Sequence, residues 1–328
     1  MSSYQNENTK NIKLFAGRSH PKLAQEIADY LGISLGNIII KNFADGEIYV
    51  RIQESIRGQD IFILQSLNSP VNEHLMELLI MVDAFKRASA KSITVVLPYY
   101  GYARQDRKTS GREAITAKLV ADLLTTAGVT RVVAMDLHTG QIQGFFNILV
   151  DHVYATSTLA DYITNLNICP DDLTVVSPDT GGVPRTRHLS KQLGCTIAII
   201  DKRRDKHNEA IATYVIGDVK DKTCVLFDDM IDTAGTICEA ARLLKQEGAK
   251  DIYICAAHPV FSGPALERLA AAPITECIVT NTIPLDTAKL PKNVKQLSIA
   301  PLLAQAIAII ESNASITSLF GVEKEMAD

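Results

Sequence analysis

Long apolar runs, paired cysteines, a surplus of one charge and a low-complexity linker are all missing from this 328-residue sequence. No apolar run reaches the ~18–20 residues that a membrane-spanning helix needs, so no membrane partner is expected. Residues 1–11 are polar and contain no apolar segment. No secretory signal is therefore expected, and the chain reads as cytoplasmic. The six cysteines, Cys169, Cys195, Cys224, Cys238, Cys255 and Cys277, are scattered and form no CxxC pair. That spacing fits neither a zinc site nor a disulfide framework, and reduced, mostly buried thiols are expected. Lysine and arginine number 33 against 37 aspartates and glutamates, a net charge of −4. This balance gives no global attraction to nucleic acid or anionic lipid, so any anion site must be a local concentration of charge. The sequence has no GxxxxGK[ST] loop, no GxGxxG after its first strands and no GxSxG. P-loop nucleotide binding and acyl transfer of the GxSxG kind are thereby excluded.

What is present is a globular balance, with 47% apolar and 21% charged residues. The length suits two domains of ~100–200 residues each. Short β-branched runs alternate with helical patterns from end to end. Strands are expected at 12–16, 38–41, 48–52, 61–65, 93–97, 132–135, 145–150, 173–176, 196–200, 224–227 and 252–256. Helical periodicity marks 73–86, 115–126, 157–165, 183–193, 237–247 and 302–311. Such alternation predicts an α/β protein with mainly parallel sheets flanked by helices. A boundary at 151–156 divides it into domains 1–152 and 153–328, with the helix near Leu302 able to pack on either. Each half has an apolar strand running into a basic loop and another ending in acid, an echo that points to two related domains.

The sharpest segment runs from Val225 to Thr236 and precedes an amphipathic helix. Its apolar strand ends on the adjacent acids Asp228 and Asp229, at the sheet edge where open α/β folds bind ligands. Thr233-Ala234-Gly235-Thr236 then enters the helix, and small residues there let backbone N–H groups close around a phosphate. A simple N-cap explains Asp232 or Thr233. It does not explain three acids at one strand exit, whose repulsion calls for a ligand or cation.

Other segments are more ambiguous. Phe43-Ala44-Asp45-Gly46-Glu47 reads alone as a turn before a strand. Arg104, Arg107, Lys108 and Arg112 against Asp106 give a loop charge of about +3, which reads as a triphosphate clamp, a solvated loop or a weak nucleic-acid patch. A second basic loop, also about +3, spans residues 202–207. His138 sits at a strand exit, within Asp136 to Phe146. Asp179 precedes Gly181 and Gly182 at a helix start, and is either a metal ligand or an N-cap.

Asp228 to Thr236 resembles the ribose-phosphate motif of the phosphoribosyltransferase fold. Over roughly residues 12–320 the chain resembles the class I, bacterial-type ribose-phosphate pyrophosphokinases (PRPP synthetases). The resemblance implies two phosphoribosyltransferase-like domains, the second carrying the ribose-phosphate motif. It implies that Phe43 stacks on the adenine of ATP, that Asp45 and Glu47 contact the base, and that Arg104 and Gln105 contact ATP. His138 and Asp179 become ligands of Mg²⁺. Residues Asp228, Asp229, Asp232, Thr233, Ala234, Gly235 and Thr236 become the ribose 5-phosphate site. Lys202 and Arg204, with Arg104, become the catalytic cations. The chain departs from the family pattern at Asp205 and Ala114, where proline is common, at Asn281 for aspartate and at Thr139 for alanine.

The implied reaction is attack of the anomeric hydroxyl of ribose 5-phosphate on the β-phosphorus of ATP, with AMP leaving. Such transfer needs positioning and charge neutralisation more than covalent chemistry. One rival is a phosphoribosyltransferase, which would share Asp228–Thr236 but not the 43–47 and 102–108 segments. The other is a catalytically silent homologue, disfavoured because the acids, His138, Lys202 and Arg204 are all present. The resemblance further implies a homohexamer governed by phosphate and ADP, with Ser55, Arg57 and Arg112 at the effector site.

Overall fold

The structure is a computed structural model that describes residues 12–204, 211–316 and 319, with the backbone alone at 202–204 and 211–213. The contacts divide the chain into two compact units. One comprises residues 1–154, 282–284 and 298–328, and the other 155–281 and 285–297.

The first unit contains β1 (Lys13–Ala16), α1 (Pro21–Leu31), β2 (Ile38–Asn42), β3 (Ile48–Ile52), β4 (Asp60–Leu64), α2 (Val71–Arg87), β5 (Ser92–Leu97), α3 (Thr116–Ala127), β6 (Arg131–Met135) and β7 (Leu149–Val153). Strands β1-β4-β5-β6-β7 form one sheet in that order, parallel at every pairing. β2 and β3 form a separate antiparallel hairpin. Strand residues Ile61, Ile63, Val95, Leu97 and Val132 share a core with Leu78, Met81 and Phe85 of α2 and Val120 and Leu124 of α3. Buried on both faces, such strands read as continuous apolar runs, which is why the pattern exposed them.

The second unit contains α4 (Thr156–Thr164), β8 (Leu173–Ser177), α5 (Val183–Leu193), β9 (Thr196–Arg204), β10 (Ile211–Ile216), β11 (Thr223–Ile231), α6 (Gly235–Gln246), β12 (Asp251–Pro259), α7 (Ala265–Ala271), β13 (Glu276–Thr280) and β14 (Val294–Leu297). Its sheet order is β10-β9-β8-β11-β12-β13-β14. Only the β9/β10 pairing is antiparallel. The fold is thus α/β with mainly parallel sheets, as the alternation of patterns predicts. Cys224, Cys238, Cys255 and Cys277 are buried free thiols, whereas Cys169 is exposed.

β10, α7, β13 and β14 are not among the expected elements, and three further features differ from the sequence reading. The expected strand at 145–150 begins only at Leu149, because residues 140–145 wind into a 3₁₀ turn that buries Ile142. Helix α1 is not among the expected helices although Leu23, Ala24, Ile27, Ala28 and Leu31 form a buried helical face; Pro21 opens it, the His20 ring accepts from the Leu23 N–H at 3.2 Å, and left-handed Gly32 closes it. The final helix, α8 (Ala300–Glu311), belongs with the first unit rather than with the expected second domain, which ran to residue 328. It packs on α1, where Ser298 Oγ donates to Glu26 Oε2 at 2.6 Å and Gln305 Nε2 to the Tyr30 hydroxyl at 3.2 Å.

Candidate active site

In the second unit the acids stand at the end of β11. Hydrogen-bonded between β8 and β12, that strand carries Val225, Leu226 and Phe227 into the core before the acids emerge. The Asp229 side chain is only 6% exposed and Asp228 28%. The Asp229 N–H donates to Asp228 Oδ1 at 2.9 Å. From the first turn of α5, Arg185 Nη1 lies 2.5 Å from Asp229 Oδ1 and 3.5 Å from Asp228 Oδ1. Burial, then the neighbouring Asp229, push the Asp228 carboxyl up to about 8, against the opposing pull of Arg185. Two acids and one guanidinium can thus hold a shared proton or, with it released, a hydroxyl or a cation. Arg185 is a residue the sequence reading missed. Its only signal was a basic side chain one turn into the helix that follows Asp179.

The loop after β11 turns through Ala234, which is left-handed (φ 59°), into α6. The N-cap residue is Ala234, whose methyl group cannot cap, so neither Asp232 nor Thr233 holds the N-cap position. Such a terminus, with its dipole, suits a phosphate.

The Asp179 turn has a different economy. Asp179 Oδ1 accepts from the Gly182 N–H at 2.8 Å, and Ser177 Oγ donates to the Asp179 carbonyl at 2.6 Å. One carboxylate oxygen thus shapes the turn, and the side chain is oriented at an exposed strand exit. A Cβ on Gly182 would meet Ser177 Oγ at 2.7 Å, so this approach requires glycine. Lys202 and Arg204 pair through their backbones with Thr213 and Ile211 at the end of β9. Their side chains lie outside what is described, as does all of Asp205.

In the first unit Phe43–Glu47 is the turn of the β2/β3 hairpin. Glu47 O accepts from Phe43 N–H at 2.8 Å, and Asp45 Oδ1 caps the Glu47 N–H at 3.1 Å. Gly46 takes φ 97°, which a side chain would strain. The Phe43 ring is 50% exposed and meets Tyr49 edge-on with centroids 5.6 Å apart. A large aromatic held open at a hairpin tip is available for stacking.

The basic loop after β5 divides into a base and a tip. Tyr99 and Tyr100 are buried, and the Tyr100 hydroxyl donates to the Ala117 carbonyl at 2.8 Å. These tyrosines pack the loop base. Arg104, Gln105, Arg107, Lys108 and Arg112 are exposed. Gln105 Oε1 accepts from the Thr116 hydroxyl at 2.5 Å, which orients its amide. The Thr139 hydroxyl donates to Asp106 at 2.8 Å. Thr139 therefore ties the Arg104–Asp106 segment to the His138 loop. His138 itself is half-buried, and the preceding Leu137 N–H donates to His152 Nε2 at 2.8 Å. Ser55 and Arg57 are exposed on the turn after β3. Among the described contacts none joins them to Arg112. Nor do the described residues contain a group of three or more His, Cys, Asp or Glu side chains able to hold a metal ion.

Residues 12–128 match the family model described as the N-terminal domain of ribose phosphate pyrophosphokinase. Residues 175–321 match the phosphoribosyl synthetase-associated domain. A ribose-phosphate pyrophosphokinase of Synechococcus elongatus is 58% identical over 94% of this chain and 93% of its own. The enzyme of that name from Bacillus subtilis is 54% identical over 95% of this chain and 98% of its own. The crystal structure of phosphoribosylpyrophosphate synthetase from Mycobacterium smegmatis is similar at 51% identity with a TM-score of 0.88, covering 93% of this chain and all of that one.

Proposed function

The chain belongs to the ribose-phosphate pyrophosphokinase family and makes 5-phosphoribosyl 1-diphosphate from ATP and ribose 5-phosphate, and from that premise we propose how its residues divide the work. The observation that carries the assignment is the end of β11, where a guanidinium-held acid pair is followed by the N-terminus of α6 with Ala234 at its N-cap. Asp228 and Asp229 bind the ribose hydroxyls. Asp232, Thr233, Ala234, Gly235 and Thr236 take the 5-phosphate, their N–H groups and the α6 dipole answering its charge.

For the nucleotide, Phe43 stacks on adenine while Asp45 and Glu47 recognise the polar edge of the base. Arg104 and Gln105 contact ATP. Arg104, Lys202 and Arg204 are the cations that meet charge developing on the transferring diphosphoryl group. Mg²⁺ is the proposed cofactor. It prefers oxygen ligands and is commonly held by one or two carboxylates together with substrate phosphates. The oriented Asp179 carboxylate fits that donor chemistry; His138, in the first unit, is also proposed as a Mg²⁺ ligand, the less usual type for a hard cation. When bound, the ion neutralises triphosphate charge.

The anomeric hydroxyl attacks the β-phosphorus in line, and AMP leaves. The near-complete length of the similarity to pyrophosphokinases supports this reaction over the phosphoribosyltransferase alternative. Purified protein supplied with ATP, Mg²⁺ and ribose 5-phosphate is expected to release AMP together with PRPP. Release of ADP, or no turnover, overturns the assignment. We also propose a homohexamer with phosphate and ADP as effectors at Ser55, Arg57 and Arg112. Sedimentation equilibrium tests the assembly, and activity against phosphate concentration tests the effector site.

A further inference from the structure

The segment from Ala257 to Ala265 reads in sequence as a plain strand-exit turn. In the structure it braces the sugar-phosphate loop. The Phe261 N–H donates to the Ile231 carbonyl and the Ser262 N–H to the Asp232 carbonyl, both at 3.0 Å. Helix α7 follows at once, and from it Arg268 Nη1 donates to the Thr233 carbonyl at 2.9 Å. The same atom lies 3.3 Å from the position a Cβ on Gly235 would take. Arg268 therefore rests against the first residue of α6.

Arg268 suits the last turn of its own helix α7, yet it also abuts the N-terminus of α6, where a cation is disfavoured. The helix N-terminus already carries partial positive charge, and basic residues are favoured at the opposite end. The arrangement becomes favourable once an anion sits at that end. A second consideration points the same way. A phosphate dianion bound at residues 232–236 would lie beside Asp228, Asp229 and Asp232, and the loop itself contains no basic residue. Arg185 is engaged with the acid pair. The phosphate still requires a counter-charge, and Arg268 is the guanidinium in contact with its loop.

We propose that Arg268 of α7 is the counter-charge of the sugar-phosphate loop and a specificity determinant for the 5-phosphate of ribose 5-phosphate. This rests on the assignment of residues 232–236 to that phosphate. Arg268 supplies the charge that the backbone N–H groups supply only in part, and it holds the Thr233 carbonyl turned away from the anion. A charge-assisted hydrogen bond is roughly twice as strong as a neutral one, and arginine suits phosphate in geometry.

The test separates charge from bracing. Arg268→Gln keeps an amide donor for the Thr233 carbonyl but removes the charge, whereas Arg268→Lys keeps the charge. The Gln variant is expected to raise KM for ribose 5-phosphate about 10- to 100-fold, with KM for ATP unchanged. The preference for ribose 5-phosphate over unphosphorylated ribose, measured by calorimetric binding, should fall by a similar factor. The Lys variant should recover most of the loss. Equal KM values for wild type and R268Q, both folded by circular dichroism, overturn the proposal. So does an R268K as impaired as R268Q. Thr233→Val and Thr236→Val serve as controls. If they raise KM for ribose 5-phosphate while R268Q does not, the loop assignment stands and the Arg268 proposal falls. If neither they nor R268Q do so, the loop assignment itself is overturned and the proposal goes with it.

Discussion

At the scale of single residues, burial governs how one carboxyl at the end of β11 ionises. Burial and Asp229 push Asp228 up to about 8, while Arg185 lies closer to Asp229 than to Asp228. A raised carboxyl contributes stability that is fully present below the ordinary carboxylate range and is lost as pH rises through about 8. The ligand-free protein should therefore melt at a lower temperature at about pH 9 than at about pH 6. Asp228→Asn should flatten that dependence, since asparagine has no proton to lose. Thermal scans across pH check both, and an unchanged slope in the variant would contradict the account. The acids themselves were legible in sequence, because a strand ending in three carboxylates is hard to explain structurally. Arg185 was not legible, because its meaning comes from a strand more than forty positions away in the chain.

At the scale of elements, the first unit is held by a buried network that no motif announces. The Glu77 side chain on α2 is fully buried and accepts from Arg18 Nε at 2.5 Å, from the Arg18 N–H at 2.7 Å and from Gln65 Nε2 at 3.1 Å. Arg18 continues outward to Asn42 Oδ1 at 2.7 Å, and Asn42 Nδ2 donates to the Gly46 carbonyl at 3.2 Å. One arginine thus connects a buried glutamate to the hairpin tip that carries Phe43. Arg18→Ala leaves the Glu77 charge with less compensation and should destabilise the unit by about 2–3 kcal/mol in urea unfolding. With its anchor gone, the hairpin should also loosen, raising KM for ATP a few-fold. The space around Gly17 explains its residue type. A Cβ there would meet Gln65 Oε1 at 2.1 Å. Here the strands and the amphipathic helices were readable by period, whereas polar packing among Arg18, Gln65 and Glu77 was not, since those residues look solvent-facing by composition.

At the scale of the whole chain, the two units are not two consecutive stretches of sequence. Residues 282–284 and 298–328 return to the first unit. Helix α8 buries Leu302, Leu303, Ala304, Ala306 and Ile307 there. Truncation before Ser298 should therefore lower the melting temperature of the first unit by roughly 10 °C or more, through lost apolar burial on α1. Differential scanning calorimetry of the truncated chain checks this. An unchanged first-unit transition would show that α8 contributes little.

The sequence alone determined the alternation of strands and helices, the absence of an apolar run able to span a membrane, and the placing of acids and basic loops at strand ends. Those follow from local periodicity and from charge density, which need no partner to be read. The tertiary structure alone decided which guanidinium meets which carboxylate, that Asp179 shapes its own turn, that Arg268 rests on the Thr233 carbonyl, and where α8 packs. Each of those is a contact between residues distant in the chain or a backbone direction at a turn. Side-chain type leaves such contacts open until the sheets have formed and brought the elements together.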